Sequence, residues 1–442
     1  MNMNTDQALE NKIQEIEKSI PEPRTPISFE ELERRVNRWL LIQDKGLLKV
    51  ILGAVVANKL EGDPVWMFIV AAPGGTKTEL IRGLAKIEGI YSISDLTPQT
   101  FLSGERGKTG SLLLRLPYGT ILTYKDFTTV LSMHRDKQQA IISQLREIFD
   151  GYYRKEFGTG ETKTWEGKLG FIAGVTSVID RHYEIYSVLG ERFIQYRPIQ
   201  AKDVDMAIRA IKNSGQEKAM REDIQNATAD FLSSIHLPTE KVALPDDLQE
   251  RIAYMAALCV RARSGVIRDG YSTREIELIP EAELPTRLAK QLITLLIAVS
   301  LIDGQPPESN YELIWKVAMD SVPQKRRRVL EMLITADRKL ETAEVATKIG
   351  YPTNTTRRVL EDLHGLKLAD REHEGQGHAD KWQISEHARE LLDRALPPTL
   401  RDTLTKLNIP ESLPETSDDL LAEAEALFEA PIQDTLPEMS DN

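Results

Sequence analysis

"IVAAPGGTKTELIRGLA", residues 69–85, carries an apolar strand to Ala72, breaks it with Pro73-Gly74-Gly75, and opens an amphipathic helix at Lys77-Thr78. That layout suits a phosphate-binding loop. Backbone N–H groups turn inward around phosphate oxygens, the lysine neutralises the β- and γ-phosphates, and the hydroxyl holds Mg²⁺. The usual pattern is G-x-x-x-x-G-K-[ST], and here Ala71 and Thr76 stand where glycine is usual. An alanine is tolerated at negative φ, whereas a β-branched Thr76 resists positive φ at a cost of about 1–2 kcal/mol. Pro73, Gly74, Gly75, Thr76, Lys77 and Thr78 are the candidate nucleotide contacts, with ATP and Mg²⁺ as the expected ligands. The competing reading of the loop alone is a plain Gly-rich strand-to-helix turn.

Working outward, "PVWMFIVAA" (64–72), "GTILTYKD" (119–126) and "KLGFIAGVTSVI" (168–179) are compact apolar runs separated by helical stretches, the pattern of buried parallel strands in an α/β sheet. The second run leads to Lys125-Asp126-Phe127, and an acid at the C-terminal end of a neighbouring strand is where a Mg²⁺-linked or water-orienting carboxylate belongs. A helix over 136–149 then precedes "DGYYRKEFGTGETKTWEGKLGFIAGVTS", which predicts a β-hairpin turning at Gly158-Thr159-Gly160-Glu161 before a strand that ends in Thr176-Ser177. Arg154, Lys155, Lys163 and Lys168, interleaved with Tyr152, Tyr153, Phe157 and Trp165, form the mixture that single-strand binding favours. Glu156, Glu161 and Glu166 dilute that charge, so an ordinary surface hairpin competes.

With 442 residues, 41% of them apolar, the chain has material for two or three domains. Its single cysteine, Cys259, excludes an internal disulfide framework and a multi-cysteine zinc site, and its seven histidines lack metal-ligand spacing. The opening "MNMNTDQALENKIQEIEKSI" is polar, so a cytoplasmic location without a signal peptide is expected. The longest apolar run, 291–302, is too short to span a bilayer and reads as a buried helix. Most of the net charge of −12 sits in residues 400–442, which hold 11 acids and 2 bases, so the body is nearly neutral. That acidic, Pro-punctuated tail predicts disorder. The resulting divisions are a polar lead-in and helix (1–45) with a Ser28/Glu31 capping box, an α/β core (46–200), a helical subdomain (201–320), a unit of three helices and two short strands (321–395), and the tail (396–442).

Phosphate loop, acid-bearing strand, hairpin, polar strand end and "GERF" in this order resemble the AAA+ ATPases of the pre-sensor-1 hairpin clade, in particular the minichromosome maintenance helicases. The resemblance covers roughly residues 45–305 and implies an α/β AAA+ P-loop core with a helical lid. It implies that Lys77 binds the β/γ-phosphates, Thr78 and Asp126 serve Mg²⁺, Thr176 polarises the attacking water, Arg192 is an arginine finger on a neighbouring subunit's ATP, and Arg287 contacts the γ-phosphate. Residues 322–386 resemble a winged helix-turn-helix, with Asn354, Thr355, Arg357 and Arg358 on the helix that would meet DNA; docking of a protein partner is the competing use of such a module. By resemblance the chain is a homo-oligomer, with a hexamer as the candidate ring, single-stranded DNA in its channel and duplex at the winged helix. It would act as an ATP-driven motor, a replicative helicase or initiator of a phage or mobile element. The alternatives are a slow ATP switch, such as a helicase loader or transcriptional regulator, and a non-hydrolysing scaffold. "YKDF" departs from the family's "DEF": Lys125 replaces the Mg²⁺-linked acid, and Asp126 is left for one role. ATP binding is therefore expected ahead of rapid hydrolysis.

Overall fold

Four short runs in which every residue is buried set the centre of the molecule: β1 (Trp66–Val70), β3 (Ile121–Tyr124), β6 (Gly170–Val175) and β7 (Phe193–Tyr196). With β2 (Ile90–Ile93) they form a five-stranded parallel sheet in the order β2-β3-β6-β1-β7. The computed structural model describes residues 24–400 apart from 75, 105–109, 182–190, 200–202, 270–274, 337, 374 and 376–377. Gly75, most of the lead-in and almost all of the acidic tail lie outside the described residues.

Strand alternation divides β1 between two cores. Met67 and Ile69 point into one shared with helices α1 (Phe29–Trp39) and α2 (Lys45–Lys59), while Trp66, Phe68 and Val70 point into the other. The second core is aromatic: Phe68 stacks on Phe193 at 3.9 Å between ring centroids, and Trp66 meets Phe149 edge-on at 5.2 Å. Helix α3 (Lys77–Gly83, continued as a 3-10 turn to Lys86) follows β1 after the segment 71–76. Strand β3 runs into α4 (Thr128–Leu131), and α5 (Arg135–Phe149) carries the chain to the hairpin β4 (Tyr152–Glu156) and β5 (Thr162–Glu166). Ser28 caps α1 by accepting from the Glu31 N–H at 3.2 Å, but the Glu31 carboxylate turns to Arg34 and Arg35, so only half of the expected capping box forms.

After the sheet come α6 (Asp203–Lys212), α7 (Glu217–Ser233), α8 (Asp246–Ala262), the small hairpin β8 (Ile267–Arg268) and β9 (Ile276–Leu278), α9 (Thr286–Asp303) and α10 (Tyr311–Asp320). The run 291–302 lies in α9 and packs against α2. Among the described residues no single helix is long and apolar enough to cross a membrane. The last unit holds α11 (Gln324–Thr335), α12 (Thr342–Ile349), α13 (Thr353–Gly365), an antiparallel sheet ordered β10 (Leu340–Glu341), β12 (Lys381–Ile384), β11 (Ala369–Glu372), and α14 (Glu386–Ala395). Gly350, at φ 69°, turns α12 into α13. One hydrophobic core runs from α2 and the sheet through α8–α10 into this unit, so the unit is docked rather than tethered.

Candidate functional site

The site forms where β1, β6 and β3 end. The Ala71 N–H donates to Val175 O at 3.1 Å, so the loop leaves β1 alongside β6. Among the described residues of the loop, positive φ falls on Gly74, at 78°, whereas Thr76 is right-handed at φ −61°, ψ −18°. The strain expected at Thr76 is therefore absent, because glycine occupies the position that needs it. Lys77 is 4% exposed and its Nζ donates to Ala71 O at 2.7 Å and Ala72 O at 2.8 Å. Burial pushes its pKa down, and the opposing pull comes from Asp126. Thr78 follows on the first turn of α3, half-buried; Pro73 and Gly74 are exposed.

Asp126 is exposed, and its Oδ1 accepts from the Thr128 N–H at 3.0 Å. Its strand is not the neighbour of β1 that the sequence suggests: β6 lies between them. Two strand spacings, about 10 Å, thus separate the loop from the acid. Thr176 ends the intervening strand, 9% exposed; its N–H donates to Thr128 Oγ1 at 3.1 Å, and the two hydroxyls lie 3.2 Å apart. Sequence reasoning missed two residues. Thr128 fixes the Thr176 hydroxyl, and Gly174 lets the walls close in: a Cβ there would stand 2.5 Å from Lys125 O and 3.4 Å from Lys77 Cδ. The only sequence signal for Gly174 was a glycine within an otherwise apolar core strand.

Arg192 and Arg287 are elsewhere. The pairing of Trp66 with Phe193 puts Arg192 at the opposite, N-terminal edge of the sheet, about 13 Å along β1 from the loop. Its Nη2 donates to Asp150 Oδ2 at 3.0 Å, and its guanidinium lies 6.0 Å from the Phe149 ring centre. Arg287 lies 5.9 Å from the same ring and donates to Glu283 Oε1 at 2.8 Å. Burial, then the neighbouring Arg192, lowers its pKa. Arg287, expected at the γ-phosphate, is not brought to the loop of its own chain, because α9 starts beside Arg192. Glu191, 6% exposed, accepts from Gln195 Nε2 at 3.0 Å and lines a cavity of about 100 Å³ with Arg263, Ser264 and Glu283; burial pushes its carboxyl up to about 6.

The hairpin forms with the predicted turn, Glu156 pairing with Thr162, but its lysines do not project. Lys155 Nζ donates to Pro98 O and Leu102 O, each at 3.2 Å, and Lys163, 5% exposed, reaches Ser111 Oγ at 3.4 Å. Both lie over Phe157, at 5.4 and 5.8 Å. Strand alternation explains the correction: Lys155 shares a face with Tyr153 and Lys163 with Trp165, and both aromatics belong to the core. The exposed Arg154 is paired with Glu156 at 2.7 Å.

In the last unit Asn354 and Arg357 are exposed on the first turns of α13, and Thr355 and Arg358 are half-buried. The far end of α13 is held by Arg268 of β8, which pairs with Asp362 at 2.7 Å and Glu361 at 3.1 Å and donates to Arg358 O at 2.8 Å.

No family model and no curated protein matches this chain. Among solved structures it is similar to the apo A form of the NrS-1 C-terminal region, with 11% identical residues and a TM-score of 0.28 over 82% of this chain and 77% of that one. So loose a superposition assigns neither fold nor function.

Proposed function

We propose that this chain is an AAA+ P-loop ATPase that acts on DNA, with a helical lid and a C-terminal winged helix, in the class of replication helicases or initiators of phages and mobile elements. One observation carries the reading: Lys77, Asp126 and Thr176, far apart in sequence, converge at the C-terminal edge of a parallel sheet, where open α/β sheets bind their ligands.

ATP would lie over the loop with its phosphates toward Lys77, which would exchange the carbonyls of Ala71 and Ala72 for phosphate oxygens, a stronger charge-assisted contact. The donor set fits Mg²⁺ arriving with the nucleotide, since that ion keeps waters and takes one or two carboxylates plus phosphates. Thr78 and Asp126 supply what the protein adds, and among the described residues no group of three His, Cys, Asp or Glu side chains stands ready for a metal alone. Mg²⁺ would neutralise charge developing on the phosphates. Thr176, oriented by Thr128, would hold the attacking water, and Arg192 and Arg287 would act on the nucleotide of a neighbouring copy.

A second reading, a slow ATP switch such as a loader or regulator, is favoured by Lys125: a single carboxylate, Asp126, must serve either Mg²⁺ or water. Binding of a fluorescent ATP analogue and DNA-stimulated phosphate release, for wild type and Lys77→Ala, test both readings. Binding lost in the variant together with DNA-stimulated turnover in wild type supports the motor. Binding with negligible turnover supports the switch, and no ATP binding by wild type overturns both.

A further inference from the structure

The run "KRRR", Lys325 to Arg328, opens α11 and is split by its helical phase. Arg326 and Arg327 turn inward. The first donates to Ala262 O and Ser264 O and pairs with Asp362 at 3.2 Å, and the second pairs with Glu331 at 2.6 Å and with Asp320. Lys325 and Arg328, three residues apart, share the exposed face. Their cationic groups lie 5.9 and 5.8 Å from the ring centre of one side chain, Tyr351. Two like charges over one ring repel each other, and an anion between them removes that repulsion.

Tyr351 and Pro352 lead directly into α13, whose first turns expose Thr353, Asn354 and Arg357. Among the described residues none of Lys325, Arg328 and Arg357 has a carboxylate partner within an ion-pair distance. The nearby acids are spent inward: Glu361 and Asp362 on Arg268 and Arg326, Glu331 on Arg327. Residues 321–399 hold 14 bases and 13 acids, yet this face is positive.

We propose that this face, α11 through Lys325 and Arg328 together with Tyr351 and the start of α13, is a docking surface for double-stranded DNA. It extends the footprint of α13 by a second row of phosphate contacts, and it rests on the reading that the C-terminal unit meets DNA. The exposed cations Lys325, Arg328 and Arg357 accompany the uncharged, exposed Thr353 and Asn354, a set in which cations can meet backbone phosphates and an amide can face base edges. Single-strand binding uses exposed aromatic platforms, and this face has none to offer: Tyr351 is half-buried and covered by two cations, and Trp382 is fully buried.

The test is fluorescence anisotropy of the full chain with a labelled duplex, its separated strand, and a labelled peptide of residues 401–442, between about 50 and 200 mM salt. Lys325→Ala/Arg328→Ala should weaken duplex binding and reduce the slope of log Kd against log salt by about 2, and Arg357→Ala by about 1. Lys325→Gln/Arg328→Gln keeps the stems over Tyr351 and should show the same loss. Wild-type affinity and slope in both double variants, with Arg357→Ala still weakened, overturns the proposal and leaves the α13 reading standing. Absence of salt-dependent duplex binding by wild type removes that reading and the proposal with it. Loss confined to the single strand or to the acidic peptide overturns the duplex as occupant.

Discussion

Gly174 shows how the site depends on one missing methyl group. Strand β6 donates no side chain here because Lys125 O occupies the space above it, 2.5 Å from where a Cβ would stand. Gly174→Ala should destabilise the protein by about 1–3 kcal/mol through overpacking, and binding of an ATP analogue should fall with it because the added Cβ, 2.5 Å from Lys125 O, pushes away the backbone that carries Asp126. Thermal melts and analogue binding check this; an unchanged melting temperature would show that the walls yield. Glu191 allows a pH prediction. Its folded-state pKa of about 6 lies above the ordinary 4.5, so between these values the folded chain holds a proton that the unfolded chain has lost. Stability then falls as pH rises through this window, by about 2 kcal/mol in all, and the full penalty persists above pH ~6. Glu191→Gln should gain about that much relative to wild type at pH ~7.5 and little at pH ~4. Denaturant titrations at both pH values decide it, and parallel shifts would reject it. Glu191 was not visible in the sequence as a special residue, and Gly174 only as a glycine within an apolar strand, because burial and close approach are properties of the packed state.

At the scale of elements, the hairpin separates what a sequence states from what it withholds. Its turn, register and place before Thr176 were legible from "FGTGE" and the alternating runs on either side. The direction of its lysines was legible too, had the two-residue spacing from Tyr153 to Lys155 and from Lys163 to Trp165 been weighed above the count of basic residues. Lys155→Ala/Lys163→Ala should therefore leave duplex and single-strand affinity within about twofold, and it should lower the melting temperature through lost packing of the lysine stems around Phe157. A large drop in DNA affinity at unchanged stability would restore the channel role. The apolar strands β1, β3 and β6 were found because parallel strands buried on both faces read as continuous apolar runs. Strands β2 and β7 are the outer strands of the sheet; "IYSI" has exposed polar and aromatic positions and "FIQY" carries Gln195, and only their neighbours in space make them strands. The hairpin β8–β9 was missed for a similar reason, since its meaning lies in Arg268 gripping α13.

Over the whole molecule, the two halves of the proposed catalytic apparatus lie on opposite edges of one sheet. Lys77, Asp126 and Thr176 take the C-terminal edge, while Arg192 and Arg287 share Phe149 at the other. No rotamer bridges about 13 Å of strand, so the arginines can serve a nucleotide only if a second copy brings its C-terminal edge to them. That is a heterologous contact, one face against a different face, which closes into a ring when the rotation permits. If the site is shared, Lys77→Ala and Arg192→Ala subunits are each inactive alone but complement when mixed. An interface works when the Arg192→Ala copy supplies the loop and the Lys77→Ala copy supplies the finger, about a quarter of interfaces in a random equal mixture. ATPase activity should then recover to about that fraction of wild type, against a loss of about 10³-fold or more expected for a missing finger. Arg192 is largely buried and tied to Asp150, so Arg192→Ala must first melt within a few degrees of wild type, and Arg192→Lys, which keeps the charge but not the planar fork, should recover less than wild type. Mixtures that stay inactive at every ratio, with both variants folded and assembling, would confine Arg192 to its contacts with Asp150 and Phe149 and make the site a single-subunit one.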